Sequence, residues 1–193
     1  MSTAVLISIK PKWCEKIASG KKTIEVRKTK PKIEPSFKCY IYETSGGWEY
    51  RDPWMTVVMP PNGKMYNGAQ TIIGEFVCDK IIKVNCDSVD LFDDKTKQYI
   101  GKECCLNVAE YHKYTLFKSF GWHISDLKIY DEPKELSEFY KPCPNDCWNC
   151  EYHSFSGLTY DPSYCDWERY IESPDSIIKR PPQSWCYVEA ENG

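Results

Sequence analysis

No stretch of the 193 residues approaches the roughly 18 consecutive apolar side chains that a membrane-crossing helix needs, so no membrane partner is expected. The opening residues, MSTAVLISIKPKW, have no basic segment before their short apolar run and no small-residue cleavage site after it, which argues against a secretion signal. A phosphate-cradling Gly-rich loop, a dinucleotide fingerprint and a Ser-His-Asp pattern are all missing. Internal repeats and low-complexity segments are missing too. Nor is there an excess of positive charge: the net charge is −3, so the chain as a whole does not attract nucleic acid.

What is present is unevenly distributed. Residues 10 to 38 hold ten Lys or Arg against three Glu, which leaves the rest of the chain acidic. Such asymmetry reads either as a local surface for an anionic ligand or as a solvated lysine-rich face. Aromatic residues make up 15%, with 14 Tyr and 7 Trp, enough for a core and for flat stacking surfaces. Eleven cysteines form an odd set with no secretion signal. That combination predicts a reducing compartment, the cytoplasm, where cysteines are buried thiols or metal ligands. The length suits a single domain over 1–193.

Along the chain, AVLISI (4–9) reads as a buried strand, and Pro11 opens a short helix whose Trp13, Cys14, Ile17 and Ala18 share one face and which Gly20 stops. CYIYET (39–44), TIIGEFVCDKIIKV (71–84, with Gly74 as a bulge), GWHISDLKIY (121–130) and SWCYVE (184–189) read as further strands. LNVAEYHKYTLF, within 103–117, and EPKELSEFY read as helices. Residues 45–70 are crowded with Gly-Gly, Asp-Pro, Pro-Pro and Asn-Gly pairs, the signature of a long loop. About six strands without regular βαβ alternation predict an α+β fold, a mixed or antiparallel barrel with short helices around it.

The stretch GKKTIEVR (20–27) carries the chemistry. Ile24 and Val26 alternate with Thr23, Glu25 and Arg27, the period of a half-buried strand that presents a polar row on its outer face. Arg27 offers a rigid fork of donors, Lys22 a point charge and Glu25 only acceptors. From periodicity alone this is either a surface ion pair, worth about 0–1 kcal/mol, or a recognition pair. Of the histidines, His112 reads as a packing or surface residue of a helix, and His123 stands at a strand start with no partner to orient it as a base.

Gly20, Lys22, Glu25 and Arg27 match the pattern GxKxxExR, and with the preceding strand and helix this resembles the ASCH family of the PUA-like superfamily. The resemblance covers about 4–130 and the last strand. It implies a PUA-like barrel with flanking helices and a cleft lined by the motif strand, holding RNA or a nucleotide. The residues expected around that ligand are Lys10, Lys22, Thr23, Glu25 and Arg27, with Trp122, Trp185 and Trp48 as stacking candidates. Some ASCH proteins are similar to amide hydrolases acting on acylated nucleosides, in which a Thr nucleophile stands where this chain has Glu25. Glu25 has no hydroxyl with which to attack, so binding without turnover is the expectation. The alternatives are a hydrolase using Lys22 and Glu25, and a protein-interaction module on the same barrel.

Outside the resemblance lies a cysteine-rich insert at about 141–168. Cys143, Cys147, Cys150 and Cys165 suit a closed structural zinc site, with His153 as an alternative ligand. The other readings are unliganded thiols or a disulfide. The insert has few aliphatic residues with which to hold itself together, which favours the metal. Elemental analysis of protein expressed in zinc-replete medium should therefore find about one zinc per chain. A chelator should loosen the insert and leave the barrel folded, and a metal-free protein would overturn the assignment.

Overall fold

The structure of the protein, a computed structural model, describes residues 3–45, 70–85, 94–116, 118–142 and 176–190. The chain opens with β1 (Thr3–Ile9), in which every residue after Thr3 is buried. β1 runs parallel to β3 (Phe37–Glu43) and antiparallel to β8 (Trp185–Glu189). With β4 (Ile72–Cys78) and β7 (Ser125–Lys134) they form a five-stranded sheet in the order β7-β4-β3-β1-β8. A second sheet holds β2 (Ile24–Arg27), β6 (Lys118–His123) and β5 (Ile81–Asn85) in the order β2-β6-β5, all antiparallel.

The unbroken apolar run of β1 follows from its being covered on both faces. Val5, Ile7 and Ile9 belong to the main core, with Ile41 and Phe76 from the same sheet and Trp122 from the second. Ala4 and Leu6 face a smaller cluster with Tyr40, Ile72, Phe139 and Ile178. A third cluster lies behind β2, where Ile24 and Val26 meet Ile100, Cys104, Leu106 and Tyr111. The expected α+β fold with mixed sheets is the one adopted. Its described strands number eight rather than about six and lie in two sheets, with no pairing between the sheets that closes them into one ring.

Short helical segments flank the sheets among the described residues. α1 (Pro11–Ala18) has proline at its first position and buries Cys14, Ile17 and Ala18. Gly20 follows at φ 71°, a left-handed conformation that glycine takes without steric cost, and its N–H bonds the Ile17 carbonyl at 2.8 Å. α2 (Asp94–Gln98) runs into a π turn over Tyr99–Glu103, and neither is signalled by the sequence pattern. α3 (Val108–Thr115) begins later than expected because Asn107 caps it. The Asn107 side chain accepts the Glu110 N–H at 2.8 Å, and the Glu110 carboxylate accepts the Asn107 N–H at 3.1 Å. EPKELSEFY keeps only a 3₁₀ turn at Leu136–Glu138.

Two expected strands each prove to be two. TIIGEFVCDKIIKV is cut at Asp79–Lys80 into β4 and β5, and the run through GWHISDLKIY is cut at Ile124 into β6 and β7. Both cuts pass the chain from one sheet to the other, and they lie side by side. The His123 N–H bonds the Lys80 carbonyl at 2.9 Å, and His123 Nδ1 lies 2.6 Å from Asp79. Hydrophobic alternation continues through such a corner, so it leaves no trace in the pattern. Most of the expected 45–70 loop and of the cysteine insert, with Trp48, Cys143, Cys147, Cys150, His153 and Cys165, lies outside the described residues.

Gly74 does sit at an irregularity of the β4–β7 register, as its place in the strand predicts. A Cβ there would clash with the Lys128 carbonyl oxygen and stand 3.1 Å from the Ile129 Cα, both backbone atoms. Gly74→Ala should therefore lower stability by about 1–3 kcal/mol in denaturant titration. An unchanged midpoint would show that β7 moves away at no cost.

Candidate functional site

β2 is buried at all four positions, not only on its apolar face. The row formed by Glu25 and Arg27 was expected to look outward. It is covered by α1, the end of β1 and the residues before β8, while Ile24 and Val26 pack behind. What results is a buried ion network. Lys22 Nζ lies 3.4 Å from Glu25 Oε2, and Arg27 Nη2 lies 3.0 Å from Glu25 Oε1, with all three side chains at most 7% exposed.

The cations are held by backbone as well. Lys22 Nζ donates to the Cys104 carbonyl at 2.7 Å, and Arg27 Nη2 donates to the Ser8 carbonyl at 2.7 Å. Arg27 Nη1 reaches the Ser184 carbonyl and hydroxyl at 3.4 and 3.3 Å. Arg27 Nε and Ser8 Oγ are buried there with no hydrogen-bond partner. Gly20 aims Lys22 into this network, because the turn it makes lets the Lys22 N–H bond the Lys16 carbonyl at 2.9 Å.

The network forms one wall of a cavity of about 500 Å³. Trp13 of α1, Leu106 and Tyr114 supply apolar and aromatic surface, and the exposed Lys10 and Lys113 stand at its edge. Three ammonium groups surround the Trp13 ring, from Lys12, Lys16 and Lys22 at 4.5, 4.8 and 5.1 Å from its centroid. Lys16 Nζ also reaches the Cys105 carbonyl at 3.4 Å, so consecutive carbonyls of the Cys104–Cys105 pair anchor two of the three. Lys12 pairs with Glu110 at 3.1 Å, and the Asn107 N–H and that lysine hold the Glu110 carboxyl below its ordinary range.

Two of the thiols nearby, those of Cys104 and Cys14, are held in their protonated form. Burial pushes Cys104 up to about 12 despite the opposing pull of Lys22, and burial with the charges of Glu43 and Glu25 raises Cys14 well above its usual value. Both stay protonated at neutral pH.

Of the residues expected at a ligand site, Lys10, Lys22, Glu25 and Arg27 line the cavity. Thr23 does not. It is half-buried, and its backbone bridges the Glu103 carbonyl and the Ile124 N–H. Trp122 has no exposed surface and so no face to offer a ligand; it packs edge-on against Phe37 with ring centroids 5.9 Å apart. Trp185 packs on Trp122 and Tyr187, and its indole N–H bonds the Thr29 hydroxyl at 3.0 Å. The tryptophan that does line the cavity is Trp13, read from the sequence as a packing residue. Tyr114 and Lys113 were also missed, because only the fold brings α3 over β2. His123 lies outside the cavity, bound to Asp79.

A buried charge that loses its partner costs about 3–5 kcal/mol. Glu25→Gln, which leaves Lys22 and Arg27 without their shared counter-charge, should lower stability by about that amount. Adding Lys22→Met should recover part of the loss, since it removes one of the two stranded cations. Denaturant midpoints of both single variants and the double one measure this coupling, and simple additivity would refute it.

No protein-family model and no curated protein matches the sequence. Among solved structures, the crystal structure of an ASCH protein from Zymomonas mobilis is similar over 97% of this chain and 89% of its own, at 19% identity and a TM-score of 0.52. A single-substitution variant of that Zymomonas mobilis protein is similar over 96% of this chain and 90% of its own, at 18% identity and a TM-score of 0.50. At such identities the likeness is one of fold: the chain has the fold of these ASCH structures, and its GxKxxExR residues stand on and beside the strand that walls the cavity.

Proposed function

We propose that the chain binds a nucleotide, or an unpaired base of an RNA strand, in the cavity over Lys22, Glu25 and Arg27. The observation that carries this reading is Glu25, a buried carboxylate clamped between two cations at the wall of a cavity that also presents Trp13 and Tyr114. A ligand that uses all of these has a flat ring to lie on an aromatic face, N–H donors for a carboxylate, and negative charge for lysines at the rim. Nucleotides combine the three. The volume of about 500 Å³ falls within the range of small-molecule sites.

Charge placement agrees with this. Lys10 and Lys113 stand at the edge of the cavity, and the exposed Lys28, Lys30 and Lys32 continue from the end of β2. Lys28 lies over the Tyr114 ring at 5.3 Å, which joins that basic segment to the cavity. Phosphates beside a bound base would meet these cations, which attract any sequence alike.

Titration of the protein with fluorescent single-stranded RNA and with mononucleotides tests the proposal. Trp13→Ala should weaken binding by about 1–3 kcal/mol, the value of one stacked base. Lys113→Ala, at an exposed position, should reduce the salt dependence by about one unit of slope and leave stability unchanged. Absence of any binding at low salt would overturn the reading. Turnover of an acylated cytidine that is lost in Lys22→Ala would replace binding by catalysis.

A further inference from the structure

The cavity wall is rich in donors, and the terminal nitrogens among them are already committed, while Arg27 Nε stays buried without a partner. Lys22 gives its ammonium to the Cys104 carbonyl, and Arg27 gives its terminal nitrogens to Ser8 and Ser184. Glu25 is different. A carboxylate has about four lone-pair positions, and its two ion pairs draw on only part of that capacity. As a carboxylate paired with a cation on either side, it accepts hydrogen bonds and donates none. What Glu25 offers a ligand is therefore a pair of acceptor oxygens in one plane.

Base edges answer such a pair differently. Guanine carries two adjacent donors, the ring N1–H and the 2-amino group, spaced to meet both oxygens of one carboxylate. Adenine and cytosine each place a single amino group next to a ring nitrogen that has a lone pair. Uracil flanks one N–H with two carbonyl oxygens. In the last three cases a lone pair is pressed against a charged oxygen in a site that excludes water, which is unfavourable.

We infer that Glu25 makes this cavity selective for guanine, read through its N1–H and 2-amino donors. The inference rests on the nucleotide-binding reading and adds the identity of the base. Lys22 and Arg27 act as positioning residues: they hold the carboxylate in one orientation.

Calorimetric titration of the unmodified protein with the 5′-monophosphates of guanosine, adenosine, cytidine, uridine and inosine tests it. Guanosine should bind at least about tenfold more tightly than adenosine, cytidine or uridine, the factor expected of a hydrogen bond to a charged group. Inosine, which keeps N1–H and lacks the 2-amino group, should fall between. Glu25→Gln, if its circular dichroism is native, should bind the five with similar affinity; if it does not fold, the guanosine–inosine comparison carries the test. Equal affinity for guanosine and adenosine would overturn the inference and leave nucleotide binding standing. Failure of every nucleotide and of single-stranded RNA to bind would remove both.

Discussion

A carboxylate shared between two cations, all at most 7% exposed, has to be assembled before β2 can be buried. Taking three charges out of water costs several kcal/mol per ion, and attraction in a poorly polarisable interior offsets that cost only if geometry and hydrogen bonding are nearly complete. The fold supplies most of that completeness from four directions, leaving Arg27 Nε unpartnered: Glu25 between the cations, and carbonyls of Ser8, Cys104 and Ser184 around them. These contacts tie β1, the turn after the π segment and the start of β8 to one strand of four residues.

The same network explains why the cavity is chemically polar on one side and aromatic on the other. Lys22 belongs to both: its ammonium lies against Glu25 and within 5.1 Å of the Trp13 ring centroid. Cys104 and Cys105 hold Lys22 and Lys16 through adjacent carbonyls, so the turn between the π segment and α3 sets the position of two lysines around Trp13. Changes at Cys104 or Cys105 reach the cavity without touching it. Cys104 takes part through its backbone, since burial keeps its thiol protonated.

Committed donors and a partly free acceptor distinguish this wall from a simple phosphate cradle, in which N–H groups would point at the ligand. On the proposed function, phosphate attraction falls to the rim, where Lys10 and Lys113 are exposed, and base recognition to the interior. That division is physically sensible. Exposed lysines act through charge alone and are screened by salt, whereas a buried carboxylate acts through direction and is not.

Local signals carried the first 27 residues: an apolar run for β1, Pro11 and Gly20 bounding α1, and the alternation and spacing that single out Lys22, Glu25 and Arg27. Each of these is written in neighbours a few positions apart, which is the range over which period and turn chemistry act. Whether the polar row of β2 faces water or the interior is not decided within that range. Lys22 meets a carbonyl 82 positions away and Arg27 a serine 157 positions away, and no periodicity encodes such pairings. The same holds for the corners at Asp79–Lys80 and Ile124, which the unbroken hydrophobic runs conceal, and for the choice of Trp13 over Trp122 as the aromatic wall. Composition names which residues are able to stack or pair, but only tertiary packing decides which of them water, or a ligand, can still reach.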